Sequence, residues 1–401
     1  MQLETPHNPG WERLPKYSPI TAQRLESAFS HLTRARKAQG PLLQIETQGI
    51  LDDLRDIRFH NSVAPQCLRV WYLRGQAYLL QRRYGMAERS FANSLKYLSA
   101  DEDHLIHARL RYHCGLAIHE QQRFPAAIAE LKSALRELNA HQSETHEDVI
   151  DLRFEILRRL AGETFLLNSL EESLAFLRQS EEIAESATGI EAATSWEWQG
   201  IVAWMFALVY QTSHAPKTAY ERAKHAVECY RNAGLLSSLP RAELFAAVCG
   251  MDWAARQLYD RVIPDVLTDV ATLISDARLR LVTLRTADSD FGHSVASDKE
   301  GDALGNLAYL RYQRLAGQGS HEQRLAELYA LIEHVKLIGD QALIGQAYLT
   351  CGDELAHGGQ SKQACENYDK AIKHLRKVAP LLIARAERGI ANGGHIPSDM
   401  V

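Results

Sequence analysis

Residues 71–94 read WYLRGQAYLLQRRYGMAERSFANS, and this stretch decides the fold. With Leu68 just ahead of it, the positions Leu68, Trp71, Tyr72, Gly75, Tyr78 and Leu79 recur every three or four residues. That spacing puts them on one face of a helix. Arg82-Arg83-Tyr84-Gly85 interrupts the period, and Ala87, Phe91, Ser94, Leu95 and Leu98 resume it as a second helix. Two antiparallel helices approach closely only where small residues face each other, which is the task of the Gly and Ala positions. The bulky Trp and Phe then fill the groove to the next pair.

Working outward, the same marks recur. Gly115 and Ile118 are followed by Ala127, Leu131 and Ala134; Tyr348, Gly352 and Leu355 are followed by Ala364, Tyr368 and Ala371. Like Gly75 and Ala87, each first-helix Gly precedes its second-helix Ala by twelve positions. Weaker copies use Ala161, Ser173, Leu177 and Ser180, and Ala207, Tyr210, Ala219, Ala223 and Ala226. Beyond Pro65 the chain reads as helix after helix, with almost no β-type alternation.

This pattern resembles the tetratricopeptide repeat family. Its unit of roughly 34 residues carries Trp-x2-Leu-Gly-x2-Tyr in the first helix and small and aromatic marks in the second. The resemblance implies an all-α fold, a tetratricopeptide-like right-handed superhelical solenoid of antiparallel helix pairs. The register departs from the family between Arg241 and Asp302, where Met251–Tyr259 and Val266–Arg285 read as long helices without the Gly/Ala marks. The organisation expected is therefore an N-terminal segment (1–64), an N-terminal array (65–240), an irregular helical insert and loop (241–301), and C-terminal units with a capping helix (302–401). In the first segment a Pro-rich extended stretch (Pro6, Pro9, Pro15, Pro19) precedes two amphipathic helices, Thr21–Gln39 and Leu42–Arg58, broken at Gly40-Pro41. Thr286–Gly301, polar and without periodicity, reads as a loop. Val378–Ile390 reads as the cap.

Bulk composition narrows function. The 401 residues carry 45 Lys/Arg against 50 Asp/Glu, a net charge of −5. That balance argues against a protein that coats nucleic acid or an anionic membrane. The cysteines Cys67, Cys114, Cys229, Cys249, Cys351 and Cys365 are scattered singly, with no CxxC pair, so reduced buried thiols are expected. Met1–Gly10 shows no secretory signal. The most apolar stretch, Ile201–Tyr210, is too short to span a bilayer. The expectation is a cytoplasmic protein that does not enter the membrane.

Chemistry-bearing motifs are scarce. There is no GxxxxGK[ST], GxSxG or HExxH. Asp290-Phe291-Gly292 looks like a kinase magnesium element but lacks the rest of that machinery. His104 and His107 share a helix face after Asp101-Glu102-Asp103. The favoured reading is a helix N-terminus with charge-compatible acids and solvated histidines rather than a metal site. His141 and His146, with Glu144, Glu147 and Asp148, fall in an inter-repeat loop and read the same way. No enzyme activity, cofactor or metal is expected.

The resemblance also implies where a ligand sits, since the first helices of successive units line a concave groove. Set by the Gly/Ala register, that groove takes Arg69, Tyr72 and Gln76, then Arg109, Tyr112 and His119, then Glu155 and Arg158. Trp204 and Gln211 follow, with Tyr309 and Tyr312 further on, and the last unit offers Gln346, Asp353 and His357. Arginine and glutamine offer donors to carboxylates and main-chain carbonyls, and Tyr and Trp offer rigid apolar area. The expected partner is a protein or peptide segment of acidic or C-terminal carboxylate character, met first by the Arg- and Tyr-bearing N-terminal half. The Lys/Asn clamp of the chaperone-binding members is replaced by Tyr72 and Gln76. A broader similarity to bacterial peptide-sensing regulators of this repeat class implies an alternative, a ligand-gated regulator acting on a transcription or signalling partner.

Overall fold

The computed structural model describes residues 19–38, 40–55, 57, 64–98, 104–140, 146–186, 190–257, 264–287, 295–376 and 380–394. The regular elements among the described residues are all helices, and they fall into two compact units, Met1–Ile190 and Glu191–Val401. The first unit holds α1 (Pro19–Lys37), α2 (Gly40–Arg55), α3 (Ala64–Leu80), α4 (Tyr84–Leu95), α5 (His104–His119), α6 (Phe124–Asn139), α7 (Glu147–Leu166) and α8 (Leu170–Ser186). The second holds α9 (Ala192–Thr212), α10 (Pro216–Asn232), α11 (Leu239–Gln257), α12 (Pro264–Ala287), α13 (Val295–Leu315), α14 (His321–Ile338), α15 (Gln341–His357), α16 (Ser361–Leu375) and α17 (Pro380–Ala391). The boundary at 190 lies inside the 65–240 segment read from the repeat marks.

Within each unit consecutive helices pack as hairpins, and the Gly marks explain how closely. A Cβ built on Gly75 would stand 2.5 Å from the Phe91 ring, one on Gly352 2.6 Å from Tyr368, and one on Gly115 3.1 Å from Leu131. The three large partners are themselves buried, so each pair is a small residue receiving a large one across the hairpin. Second-helix serines add polar stitches: Ser94 Oγ donates to Leu68 O at 2.8 Å, and Ser173 Oγ to Ala161 O at 2.8 Å. The apolar cores are built on Leu73, Ala87 and Phe91 in one unit and on Ala347, Leu355 and Tyr368 in the other, with buried polar groups such as His113, Glu163, Glu243 and Glu354 set among the helices.

The turn between the two helices of a pair is repeated as well. Arg82, Gln122, Asn168 and His214 take φ of 58°, 61°, 60° and 63°, and Gly359 takes 75°. Each stands two residues before its second helix. The residue that follows donates its N–H to a carbonyl five back, as from Arg83 to Tyr78 O, Ser169 to Thr164 O and Ala215 to Tyr210 O. This is the left-handed helix stop that satisfies otherwise orphaned carbonyls. Other ends use side chains: Ser320 and Asp340 accept from the N–H groups of Gln323 and Leu343 at the starts of α14 and α15.

In the stretch that lacked repeat marks, α11 and α12 pair as the other hairpins do. Gly250 faces Val270 and Tyr220 there, its built Cβ 2.7 Å from Val270. Part of the loop expected over 286–301 is helical instead, because α12 runs to Ala287 and α13 begins at Val295; residues 288–294 lie outside the described residues. Asp290-Phe291-Gly292, the N-terminal prolines before Pro19 and residues 141–145 lie outside the described residues. The six cysteines are free thiols, all but Cys365 buried.

Candidate functional site on the odd-numbered helices

In both units the odd-numbered helices approach their next-but-one neighbours: α1 meets α3, α5 meets α7, and α9, α11, α13, α15 and α17 follow one another. The even helices make no comparable approach among the described residues. The odd helices therefore form the tighter, inner row of each unit, and side chains bridging them occupy that inner face.

In the first unit the expected residues separate by depth. Tyr72, Gln76 and Tyr112 are buried and turn into the interhelical layer rather than outward. Tyr72 and Tyr112 both pack on the His113 ring, at centroid separations of 5.7 and 5.4 Å. Burial, with the charges of Arg36 and Arg109, holds that imidazole down to about 3, so it is neutral. Gln76 Oε1 receives Arg36 at 3.5 Å, while its Nε2 and His113 Nδ1 have no hydrogen-bond partner among the described residues. Arg69 is half-buried on the same helix. Arg109, Arg158 and His119 each bridge toward an acid. Arg109 lies 3.9 Å from Asp148, Arg158 is held by Glu155, and His119 Nδ1 is 2.5 Å from Glu163 Oε1. Tyr112 donates to Glu155 at 3.2 Å. Arg109 and Arg158 are thus charge-compensated.

His104 and His107, raised as a metal possibility, both face Glu137, at 3.7 and 3.0 Å. Among the described residues no group of three or more His, Cys, Asp or Glu is gathered as a metal would need.

In the second unit Trp204 stacks on Phe245 at 4.6 Å, bridging α9 and α11. Tyr309 and Tyr312 line a cavity of about 290 Å³ with Ile274, Ser275 and Arg278, and the Arg278 guanidinium sits 4.9 Å above the Tyr309 ring. Gln211 donates to Asp252 Oδ2 at 2.8 Å, and Arg311 donates to the other oxygen at 2.8 Å. Burial pushes the Asp252 carboxyl up, but Arg311, Arg385 and these hydrogen bonds outweigh it and hold it below its ordinary value. One turn on, Arg314 lies 3.9 Å from Asp353, which Arg385 also binds and to which Tyr368 donates at 3.1 Å. Glu354 accepts from Arg324 at 2.9 Å and pairs with His321 at 2.8 Å.

Asp252, Arg311, Arg314 and Arg385 thus join the expected Gln211 and Asp353 in one polar network. The sequence reading missed these four because their signal is spatial. Arg311 and Arg385 lie on helices four elements apart, and no short motif links them.

The fold and this inner face define a tetratricopeptide-like helical solenoid with a polar inner row. No protein-family model and no curated protein sequence matches the chain. Among solved structures, the apo form of RapI aligns over 95% of this chain and 90% of its own, with TM-score 0.62 and 11% identity. The apo form of the quorum sensor NprR from B. thuringiensis aligns over 87% of each chain, with TM-score 0.59 and 14% identity. Aspartyl phosphate phosphatase F from Bacillus subtilis aligns over 91% of this chain and 96% of its own, with TM-score 0.58 and 12% identity. At these identities the likeness is one of fold. No described helix is long and apolar enough to cross a membrane.

Proposed function

We propose that the chain is a non-catalytic scaffold that binds a protein or peptide segment along the inner row of odd-numbered helices. The observation that carries this reading is the ladder of polar groups bridging successive odd helices, half-buried except for the buried Tyr112, with unmatched donors on Arg311 and Arg314 among the described residues. Arg109, Tyr112 with Arg158, and His119 form it in the first unit; Gln211, Arg311 and Arg314 form it in the second. Such fixed donors match the carbonyls and carboxylates of an extended chain, and their being held in place lowers the ordering cost of binding. An acidic or carboxylate-bearing partner is part of the proposal, as is a cytoplasmic location, which suits free buried thiols. Direct nucleic-acid binding is not part of it, given the net charge of −5.

A second reading, a peptide-gated regulator of another protein, draws on NprR, which is described as a quorum sensor. Phosphatase activity, which the name of aspartyl phosphate phosphatase F carries, is not proposed for this chain.

The test is hydrogen–deuterium exchange of the full chain with a pool of random-sequence heptapeptides. Protection should fall on peptides from α5, α7, α11, α13 and α15. Protection confined to even helices, or none, refutes the reading. Arg109→Gln with Arg158→Gln should weaken capture while leaving the helical circular dichroism intact.

A further inference from the structure

We infer that Arg311, Arg314 and Arg385 form a binding site for a single carboxylate on the inner face of the second unit. This rests on the scaffold reading and assigns to that face a ligand chemistry and a place. Three guanidiniums converge there on two carboxylates, Asp252 and Asp353. Including the neighbouring Arg324–Glu354 pair leaves the surplus at one positive charge.

The surplus is localised. Arg311 is committed to Asp252, and Arg385 to Asp353. Arg314 reaches only to 3.9 Å of an Asp353 oxygen already bound by Arg385. Its Nη1 is buried with no hydrogen-bond partner among the described residues, and so is Nε of Arg311. A guanidinium has five donors in a planar fork and cannot lose its charge, so a buried unmatched N–H persists as an unmet demand. Leaving such a donor unmatched carries the full desolvation penalty of the group, and a larger one when the group is charged. The Arg314 side chain is 12% exposed and that of Arg385 27%, so the cluster is largely desolvated while both side chains still reach the surface.

The two aspartates choose among anions. A dianionic phosphate would bring two negative charges beside Asp252 and Asp353, whereas a carboxylate brings one and matches the fork of a guanidinium edge-on. On a groove that receives an extended chain, that carboxylate is either a C-terminus or an Asp/Glu side chain.

The test needs no identified peptide. The full chain is labelled with ¹⁵N, and arginine Nε–Hε signals are followed as sodium acetate replaces sodium chloride at constant ionic strength. The expected result is a saturable shift confined to the Arg311, Arg314 and Arg385 signals. Arg314→Lys keeps the charge but loses the fork, and should weaken acetate roughly tenfold, the loss of one charge-assisted hydrogen bond. Asp353→Asn removes a competing carboxylate and should tighten acetate several-fold. If acetate and chloride move all arginine signals alike, the site is overturned whatever the variants do. If Arg314→Lys loses its helical dichroism, Asp353→Asn decides, and unchanged or weaker acetate binding overturns the proposal. Heptapeptide pools with free or amidated C-termini, and with or without Asp and Glu, then distinguish the two sources of the carboxylate. Failure of acetate with intact peptide protection on the odd helices sinks this site alone; loss of peptide protection sinks the scaffold reading.

Discussion

Gly75→Ala places a methyl group where the Phe91 ring already stands. The added Cβ would lie 2.5, 2.7 and 2.8 Å from Cε1, Cδ1 and Cζ of that ring, inside the roughly 3.5–4.0 Å at which carbon atoms attract. The ring has no room to retreat: Phe91 is fully buried, stacked on His113 at 5.5 Å and tilted against Tyr72 at 6.1 Å. Overpacking of this kind costs about 1–3 kcal/mol, while alanine in place of glycine inside a helix returns roughly 0.8–1.0 kcal/mol. The expected net effect is a loss of about 1 kcal/mol. In a Phe91→Ala background the colliding ring is gone, only the propensity gain remains, and the same substitution should stabilise by about 1 kcal/mol. Because a repeat stack opens locally, the proper measurement is native-state hydrogen exchange read on α3 peptides rather than a single unfolding midpoint. Unchanged or greater protection in the unaltered background, or the same effect in both backgrounds, refutes the interlocking of Gly75 and Phe91.

His113 is held neutral down to about 3 in the fold but takes a proton at its ordinary 6.5 when unfolded. The unfolded chain binds the extra proton, so stability falls as pH drops from about 6.5 toward 3, by about 1.4 kcal/mol per pH unit. Denaturation of His113→Phe followed against pH should lack that slope in the first unit. For Glu354, burial raises its pKa, but hydrogen bonds from Arg324 and His321 and nearby arginine charge outweigh that and leave it below its ordinary 4.5. Its contribution is present above 4.5 and lost as pH falls through the lowered folded value. Exchange protection of α14 and α15 should show this loss, and Glu354→Gln should abolish it. Burial pushes the thiols of Cys114 and Cys351 up to about 12, so native-state alkylation should label the half-buried Cys365 first. Mass mapping that finds Cys114 or Cys351 labelled equally fast contradicts their burial.

The fold was legible where a hairpin repeats one steric trick at constant spacing. Gly75 with Phe91, Gly115 with Leu131, and Gly352 with Tyr368 are each sixteen residues apart, and each proves to be a small residue receiving a large one. The α11–α12 hairpin does the same with Gly250 and Val270, but over twenty positions, so a search at fixed spacing passes over it. The site was less legible because the repeat register says which turn of a helix faces inward, not how deep a side chain sits. Tyr72, Gln76 and Tyr112 occupy inner-helix positions yet are buried, since neighbouring odd helices close over them. Arg314 and Arg385 meet through Asp353 on an intervening helix, a convergence set by helix rotation rather than by sequence proximity.

The bend shared by Arg82, Gln122, Asn168 and His214 carries a consequence for how such a chain can change. A left-handed conformation at a non-glycine residue costs about 1–2 kcal/mol, yet four such residues of different chemistry adopt it at the same place. The joint therefore does not depend on which side chain fills it, only on the carbonyl it closes. Whole hairpins can be gained, lost or exchanged in evolution without redesigning the corner, and a glycine grafted at any of the four is a ready source of added stability.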